Sequence, residues 1–141
     1  MGVPALEDAK IPTKIKLSAL WTSVMFCYVY GDYFELYVPG KLQQMLSGKM
    51  AIGTVSQGML VGTSILMAVP SLMIFLSLAC PPMISRWLNV VAGLFYAIIM
   101  LLILTGGGWT FYLFLAVVEV ILTALIVFHA WRWPRQSESA Y

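Results

Sequence analysis

The sequence predicts an all-α, polytopic membrane protein built as a bundle of four transmembrane helices. Apolar residues make up 61% of the 141 positions, and charged residues only 10%. An average soluble domain is roughly 45–50% apolar and ~25% charged. The chain therefore has too few charges to cover a soluble globule, which excludes an ordinary cytosolic enzyme and a disordered chain. A net charge of +2 is too small for a surface that tracks nucleic-acid phosphates, so no nucleic-acid partner is expected.

Four segments have about the 20 mainly apolar residues that a helix needs to cross a bilayer core. Proline and glycine interrupt the chain between these segments, at Pro39-Gly40, Pro81-Pro82 and Gly106-Gly107-Gly108. The predicted organisation is an N-terminal segment 1–16, a transmembrane domain 17–134 with spans at about 17–38, 58–79, 85–104 and 109–131 and an outer loop 39–57, and a tail 135–141.

The distribution of lysine and arginine predicts the orientation, because cytoplasmic loops carry an excess of these residues. One side of the predicted bundle carries Lys10, Lys14, Lys16, Arg86, Arg132 and Arg135, and the other side only Lys41 and Lys49. We therefore expect both termini in the cytoplasm. Four tryptophans fall near the inner face, where amphipathic rings favour the headgroup zone: Trp21, Trp87, Trp131 and Trp133.

Two local patterns predict further structure. Leu42, Met45 and Leu46 have the spacing of a short amphipathic helix, which we expect over 41–49 on the bilayer surface. Gly58 and Gly62 form a GxxxG pair, whose bare backbone permits close approach of another helix.

Three carboxylates fall inside the predicted spans, where an ionisable side chain is costly and usually faces the bundle interior. Asp32 and Glu35 share one face of the first span, and Glu119 in the fourth span lies close to the depth of Asp32. Each has an ordinary interpretation: interfacial solvation for Glu35, and an interhelical hydrogen bond for Glu119, with Asp32 between the two. The functional alternative is a ligand site in the outer half of the bundle.

Polar and small residues at helical spacing predict the inward face of each span. These stripes are Ser18, Thr22, Met25, Tyr28, Asp32 and Glu35; Gln57, Ser64, Met67 and Ser71; Asn89, Gly93, Tyr96 and Met100; and Tyr112, Ala116, Glu119, Thr123 and Ile126. Together they predict a carboxylate- and tyrosine-lined cavity that opens outward. The predicted ligand-binding residues are Asp32, Glu35, Glu119, Tyr28, Tyr96 and Tyr112. No metal or cofactor is predicted, because the carboxylates lie at unequal depths without histidine ligands.

The chain resembles a family of small bacterial four-span membrane proteins of unknown function, similar in outline to DoxX-like proteins. The residues that carry the resemblance, within about 16–134, are Leu17-Ser-Ala-Leu-Trp21, Gly31-Asp-Tyr-Phe-Glu35 before Pro39-Gly40, Val69-Pro70, Arg86-Trp-Leu-Asn89, Glu119 and Ala130-Trp-Arg-Trp-Pro134. The resemblance implies a four-helix bundle in the bacterial inner membrane and no particular activity. The DoxX likeness points to quinone or redox association, although nothing in the chain binds a redox cofactor.

Three functions stay open at this point. The first is binding or transport of a small lipophilic or cationic molecule at the cavity, with proton exchange at Asp32 or Glu119. The second is an accessory or assembly subunit of a membrane complex. The third, ranked below both, is a membrane-embedded enzyme acting on a lipid or quinol, with the carboxylates as acid and base. Membrane lipids and a second copy or another membrane protein are the expected partners.

Overall fold

The computed structural model describes residues 9–50 and 53–134. Its elements in chain order are α1 Thr13–Glu35, α2 Lys41–Leu46, β1 Lys49–Met50, β2 Gly53–Thr54, α3 Gln57–Ala79, α4 Pro82–Gly106 and α5 Thr110–Trp131. The predicted tail 135–141 and the first eight positions of the N-terminal segment lie outside the described residues, as do positions 51–52 of the outer loop.

Three helices are long and apolar enough to cross a membrane: α3, α4 and α5. The remaining predicted span, the first in chain order, corresponds to α1, which has the length but not the apolar composition. It carries Lys14, Lys16, Asp32 and Glu35 together with several tyrosines and serines. Membrane-helix character is thus established for three of the four predicted spans.

Proline, serine and glycine mark the helix boundaries. Pro82 occupies the first turn of α4, where its missing N–H needs no helical partner. The Ser56 hydroxyl accepts a hydrogen bond from the Met59 amide and caps α3. At the other end of α4, Gly107 has a φ of 70°, which L-residues rarely adopt, and the helix stops there.

The outer loop contains more structure than the sequence pattern predicts. A short helix does form, as α2, and it buries none of its residues within the described chain. A two-residue antiparallel hairpin follows, in which Lys49 pairs with Thr54 and Met50 with Gly53. The apolar periodicity that predicts α2 contains no signal for so short a pair of strands, and the hairpin was not predicted.

The four long helices pack in a closed order, with α1 and α4 each contacting both α3 and α5. Two side chains join helix ends across the molecule. The Lys14 ammonium donates to the Cys80 carbonyl at 2.6 Å, and an Arg86 N–H donates to the Trp131 carbonyl at 3.3 Å. The start of α1, the end of α3, the start of α4 and the end of α5 therefore lie at one end of the structure.

A buried hydrogen-bond network centred on Asn89 connects α1, α3 and α4. The Asn89 side-chain oxygen accepts from the Trp21 indole N–H at 2.7 Å and from the Ser77 hydroxyl at 3.1 Å. Its amide nitrogen donates to the Ser85 carbonyl at 2.8 Å. All four residues are fully buried. The prediction that Trp21 lies at the membrane interface is therefore wrong, because its N–H finds its partner inside the protein.

The inward faces of α4 and α5 follow the predicted stripes closely. In α4 every stripe residue is buried, and in α5 all are buried except Tyr112, which is half-buried. For α3 the predicted face is only partly right, since Met67 is half-buried and Pro70, which adjoins the predicted stripe, is buried. Pro70, Met73 and Ser77 point inward, whereas Ser64 and Ser71 are exposed.

The serines of α3 misled the prediction because they satisfy their own hydroxyls. Ser64 donates to the Leu60 carbonyl and Ser71 to the Met67 carbonyl, one turn back in the same helix. A serine bonded in this way needs no polar partner from the bundle interior, so it does not mark the inward face. In α1 the predicted Ser18 and Tyr28 are buried with apolar residues, whereas the predicted Thr22 is half-buried and Asp32 is exposed.

A close helix approach involves Gly93, a glycine outside the predicted GxxxG pair. A Cβ added at Gly93 would lie 2.8 Å from Val127 Cγ2 and 3.3 Å from Ile126 Cγ2, so α4 and α5 meet backbone to side chain there. A Cβ at Gly58 or Gly62 would meet nothing within 4 Å in the described structure. The GxxxG pair therefore makes no close helix contact within this chain.

We expect Gly93→Ala to lower stability and Gly62→Ala to leave it unchanged or slightly raised. Overpacking typically costs about 1–3 kcal/mol, whereas replacing a helical glycine by alanine gains up to about 1 kcal/mol. Only the substitution at Gly93 meets a β-branched neighbour that cannot move freely. Thermal unfolding of both variants in detergent, followed by far-UV circular dichroism, measures the difference. Equal midpoints for the two variants would contradict the close contact.

Candidate functional site

A cavity of about 100 Å³ lies among the four long helices and is the candidate functional site. It is lined by Cys27, Tyr28, Gly31 and Asp32 of α1, Leu66 and Met67 of α3, Ile99, Met100 and Ile103 of α4, and Tyr112, Leu115, Ala116 and Glu119 of α5. We call it the Glu119 cavity. Its lining combines two carboxylates and two tyrosines with apolar side chains, and no lysine, arginine or histidine belongs to the lining.

Glu119 is the most deeply buried ionisable group of the cavity, with 4% of its surface exposed. It stands on the inward face of α5, one turn from Ala116 and Thr123. The Thr123 hydroxyl donates to the backbone carbonyl of Glu119, not to its carboxyl group. Within residues 9–50 and 53–134 no hydrogen bond reaches the Glu119 carboxyl oxygens. The interhelical hydrogen bond that the ordinary interpretation required is thus not formed there.

Tyr28 brings a second polar atom without a partner to the same cavity. Its side chain is 7% exposed, and its hydroxyl has no hydrogen-bond partner among the described residues. A buried polar group left without a partner costs about 1–3 kcal/mol. Because buried polar groups are nearly always bonded, the unpartnered Tyr28 hydroxyl beside a buried carboxylate residue marks this small cavity as a functional candidate.

Asp32 and Tyr112 complete the polar part of the lining. Asp32 is an exposed residue and Tyr112 is half-buried, and both border the cavity beside Gly31. The cavity therefore reaches the protein surface on the side of Asp32. Four of the six predicted ligand-binding residues come together here: Tyr28, Asp32, Tyr112 and Glu119.

Glu35 lies outside the cavity and has a different partner. Its carboxylate forms an ion pair with the Lys41 ammonium at 2.5 Å, which joins the end of α1 to the start of α2. From the sequence, Lys41 lies in the outer loop, and the pattern predicts no carboxylate partner for it. The turns after Glu35 bring the lysine back over the helix end.

Tyr96 also lies outside the cavity lining, and its hydroxyl is bonded to the backbone of α3. Pro70 sits inside α3 and has no N–H to donate to the Leu66 carbonyl one turn earlier. The Tyr96 hydroxyl donates to that carbonyl at 2.5 Å. Tyr96 thus replaces the helical hydrogen bond that Pro70 removes, and its ring packs beside Tyr28 at 6.3 Å between centroids.

The described residues contain no group of three or more histidine, cysteine or carboxylate side chains placed to hold a metal ion. Asp32 and Glu119 are the only acidic members of the cavity lining. Hydroxyl and carboxyl groups are thus the polar chemistry that the Glu119 cavity offers to a ligand.

Three helices of membrane-spanning length and composition, with a carboxylate–tyrosine cavity among the packed helices, define a helical protein of membrane character. Residues 8–140 match the model of a family described as Family of unknown function (DUF6326), and the chain belongs to that family. This match confirms the predicted family of unknown function, whereas the likeness to DoxX-like proteins stays a prediction. Comparisons with curated proteins and with solved structures found no match.

We expect Tyr96→Phe to destabilise the protein by about 1 kcal/mol, since it leaves the Leu66 carbonyl without a donor. In a Pro70→Ala background the loss is smaller, because the introduced alanine supplies the missing N–H. A double-mutant cycle on unfolding free energies in mixed micelles measures this coupling. Tyr33→Phe is the matched control, since the Tyr33 hydroxyl bonds only Tyr37 on the exposed surface. Strictly additive effects of the two substitutions would contradict the replacement.

Proposed function

We propose that α1 is a fourth transmembrane helix, so that the chain forms a four-helix bundle in the bacterial inner membrane. Its 23 residues extend about 34 Å at about 1.5 Å per residue, which is enough for a hydrocarbon core of about 30 Å. Its charged groups have places that a span tolerates. Lys14 lies at one helix end, Glu35 is paired at the other, and Asp32 borders the Glu119 cavity.

The hydrogen bonds between helix ends also support the proposal that both termini are cytoplasmic. The start of α1 lies beside the end of α3, and the start of α4 lies beside the end of α5. The end at which these contacts lie carries Lys10, Lys14, Lys16, Arg86 and Arg132. The Phe34–Phe111 ring contact, at 6.4 Å, is at the opposite end, where the outer loop begins. Because cytoplasmic segments carry an excess of lysine and arginine, we assign the end with these five residues to the cytoplasmic side.

Thiol labelling in spheroplasts tests whether α1 spans the membrane. In a protein lacking Cys27 and Cys80, we expect Gln44→Cys to react with a membrane-impermeant maleimide from outside. Lys10→Cys is expected to react only after permeabilisation, because α1 separates the two positions by one crossing. Reaction of both cysteines from the same side would contradict a spanning α1.

We propose further that the protein binds, and moves across the membrane, a small organic cation at the Glu119 cavity. The observation that carries this proposal is that the buried residue Glu119 and the unpartnered, buried Tyr28 hydroxyl line the same cavity. A cation satisfies the carboxylate by charge. Two tyrosine rings in the same lining offer the aromatic faces on which ammonium groups bind.

Size and charge favour a small cation over the lipophilic molecule that the sequence also allowed. The volume of about 100 Å³ is well below the roughly 300–1,000 Å³ of pockets for drug-sized ligands. Since no basic residue belongs to the lining, an anion would have no counter-charge there. Asp32 at the exposed rim supplies a second carboxylate on the path to Glu119, and its position near the outer end supports opening to the outside.

We expect the purified protein to bind tetramethylammonium and to exclude the larger tetrabutylammonium. Binding should weaken as the pH falls, because protonation of Glu119 competes with the cation. Glu119→Gln removes the charge and should weaken binding more than about tenfold and reduce the pH dependence to that of Asp32. Isothermal titration calorimetry in detergent over a series of pH values measures both effects.

Glu35→Gln is the control for this experiment, since it makes the same chemical change at a carboxylate paired with Lys41 outside the cavity. Its affinity for tetramethylammonium should match that of the unaltered protein. Equal affinity of the Glu119→Gln and unaltered proteins at every pH would contradict the proposal. Uptake of labelled tetramethylammonium into proteoliposomes under an imposed pH gradient then separates transport from binding alone.

A further inference from the structure

We propose that the groove between α4 and α5 binds one anionic phospholipid, with an acyl chain in the groove and the phosphate on Arg132 and Arg86. This site is separate from the Glu119 cavity and faces outward from the packed helices. It does not depend on the proposed cation function. The proposed occupant is an anionic lipid, because the groove is apolar along its length and has two arginines at one end.

The apolar part of the site is a groove of about 430 Å³ along the outer surface. We call it the α4/α5 groove, and its lining is Leu94, Ala97, Ala124, Val127, Phe128, Trp131 and Arg132. The small side chains Ala97 and Ala124 leave the space, and the close approach of the helices at Gly93 brings Val127 across to α4. From Ala124 to Trp131 the groove follows about 10 Å of helix axis, at about 1.5 Å per residue.

Arginines and aromatic rings occupy the end of the groove at the proposed cytoplasmic face. The Arg132 guanidinium lies 5.0 Å from the ring centre of Phe128. The Arg86 guanidinium lies 5.8 Å from the ring of Trp87 and 5.5 Å from that of Trp131. Guanidinium groups over aromatic faces keep a fixed orientation, and the N–H groups that are not bonded within the protein can donate to phosphate oxygens. One Arg86 N–H is already bonded to the Trp131 carbonyl.

The two arginines have no carboxylate partner in the part of the chain that the structure describes. Its one ion pair joins Lys41 to Glu35 at the other end of α1. The Arg86 Nε is buried and makes no hydrogen bond to any described residue. The counter-charge that we propose is a lipid phosphate, since it is the abundant anion in this zone of a membrane. Basic pockets between membrane helices on the cytoplasmic side bind anionic headgroups in this way.

An acyl chain explains the apolar lining and a phosphate explains the arginines, whereas either feature alone would not select a lipid. The neighbouring groove between α1 and α5 provides a comparison. It is lined by Ile11, Ile15, Lys16, Ala19, Leu20, Ser23 and His129. Its one lysine is a compact point charge without the forked donors that match a phosphate, so Lys16 serves as a control for general charge attraction.

The test is native mass spectrometry of the purified protein titrated with phosphatidylglycerol or with phosphatidylcholine of the same chains. We expect one phosphatidylglycerol to be retained preferentially. Arg132→Gln should weaken that binding about fivefold, the effect of one arginine near an anionic lipid headgroup. Lys16→Gln should leave it unchanged. Arg86→Gln should weaken it similarly, and its fold is checked by circular dichroism.

Filling the groove tests the acyl-chain part separately from the charge. Ala124→Leu keeps both arginines and lies on the exposed side of α5, so it leaves the packed interior untouched. It is expected to lower binding of both lipids to a similar extent, whereas Arg132→Gln lowers that of phosphatidylglycerol more than that of the zwitterionic phosphatidylcholine. Equal retention of the two lipids, or binding that neither Arg132→Gln nor Ala124→Leu changes, would overturn the proposal.

Discussion

The buried amide of Asn89 is the interaction on which the packing of three helices depends. It accepts hydrogen bonds from Trp21 of α1 and Ser77 of α3 and donates to the backbone of its own helix. Apolar side chains alone orient helices poorly in a lipid environment, because lipid tails are as apolar as the side chains themselves. A fully bonded polar group has only one arrangement that satisfies it, so Asn89 sets how α1 and α3 face α4. The faces that line the Glu119 cavity follow from that orientation.

A second constraint links backbone chemistry to the cavity wall. Pro70 removes one hydrogen bond from α3 and leaves the Leu66 carbonyl in need of a donor. Tyr96 supplies it from α4, so that a helix irregularity becomes a contact between two helices. Leu66 lines the cavity, and the Tyr96 ring packs beside Tyr28. Sequence spacing places Tyr96 among the ligand-binding groups. In the structure it packs beside Tyr28 and does not line the cavity itself.

The sequence identified much of the candidate site, for a reason that is easy to state. A carboxylate in an apolar helix is costly to bury, so Glu119 and Asp32 stood out before any contact was known. Their tyrosine neighbours Tyr28 and Tyr112 followed from helical spacing. Spacing also groups Glu35 with them, yet Glu35 lies outside the cavity, because the chain after α1 turns back and brings Lys41 to the carboxylate. The inward face of α3 was predicted only in part, because a serine bonded to its own helix looks polar in sequence but needs no partner.

The sequence by itself determined the membrane character and the approximate positions of the four long helices, because both follow from local composition and from proline and glycine interruptions. It also determined the inward faces of α4 and α5, where the polar and small residues coincide with the packing surface. Only the tertiary structure decided which polar groups found partners: Trp21 with Asn89, Tyr96 with Leu66, and Glu35 with Lys41. It likewise decided that Glu119 and Tyr28 share a cavity without such partners in the described chain. Hydrogen bonding between distant segments depends on helix rotation and end geometry, and neither quantity is encoded in the spacing of residues along one helix.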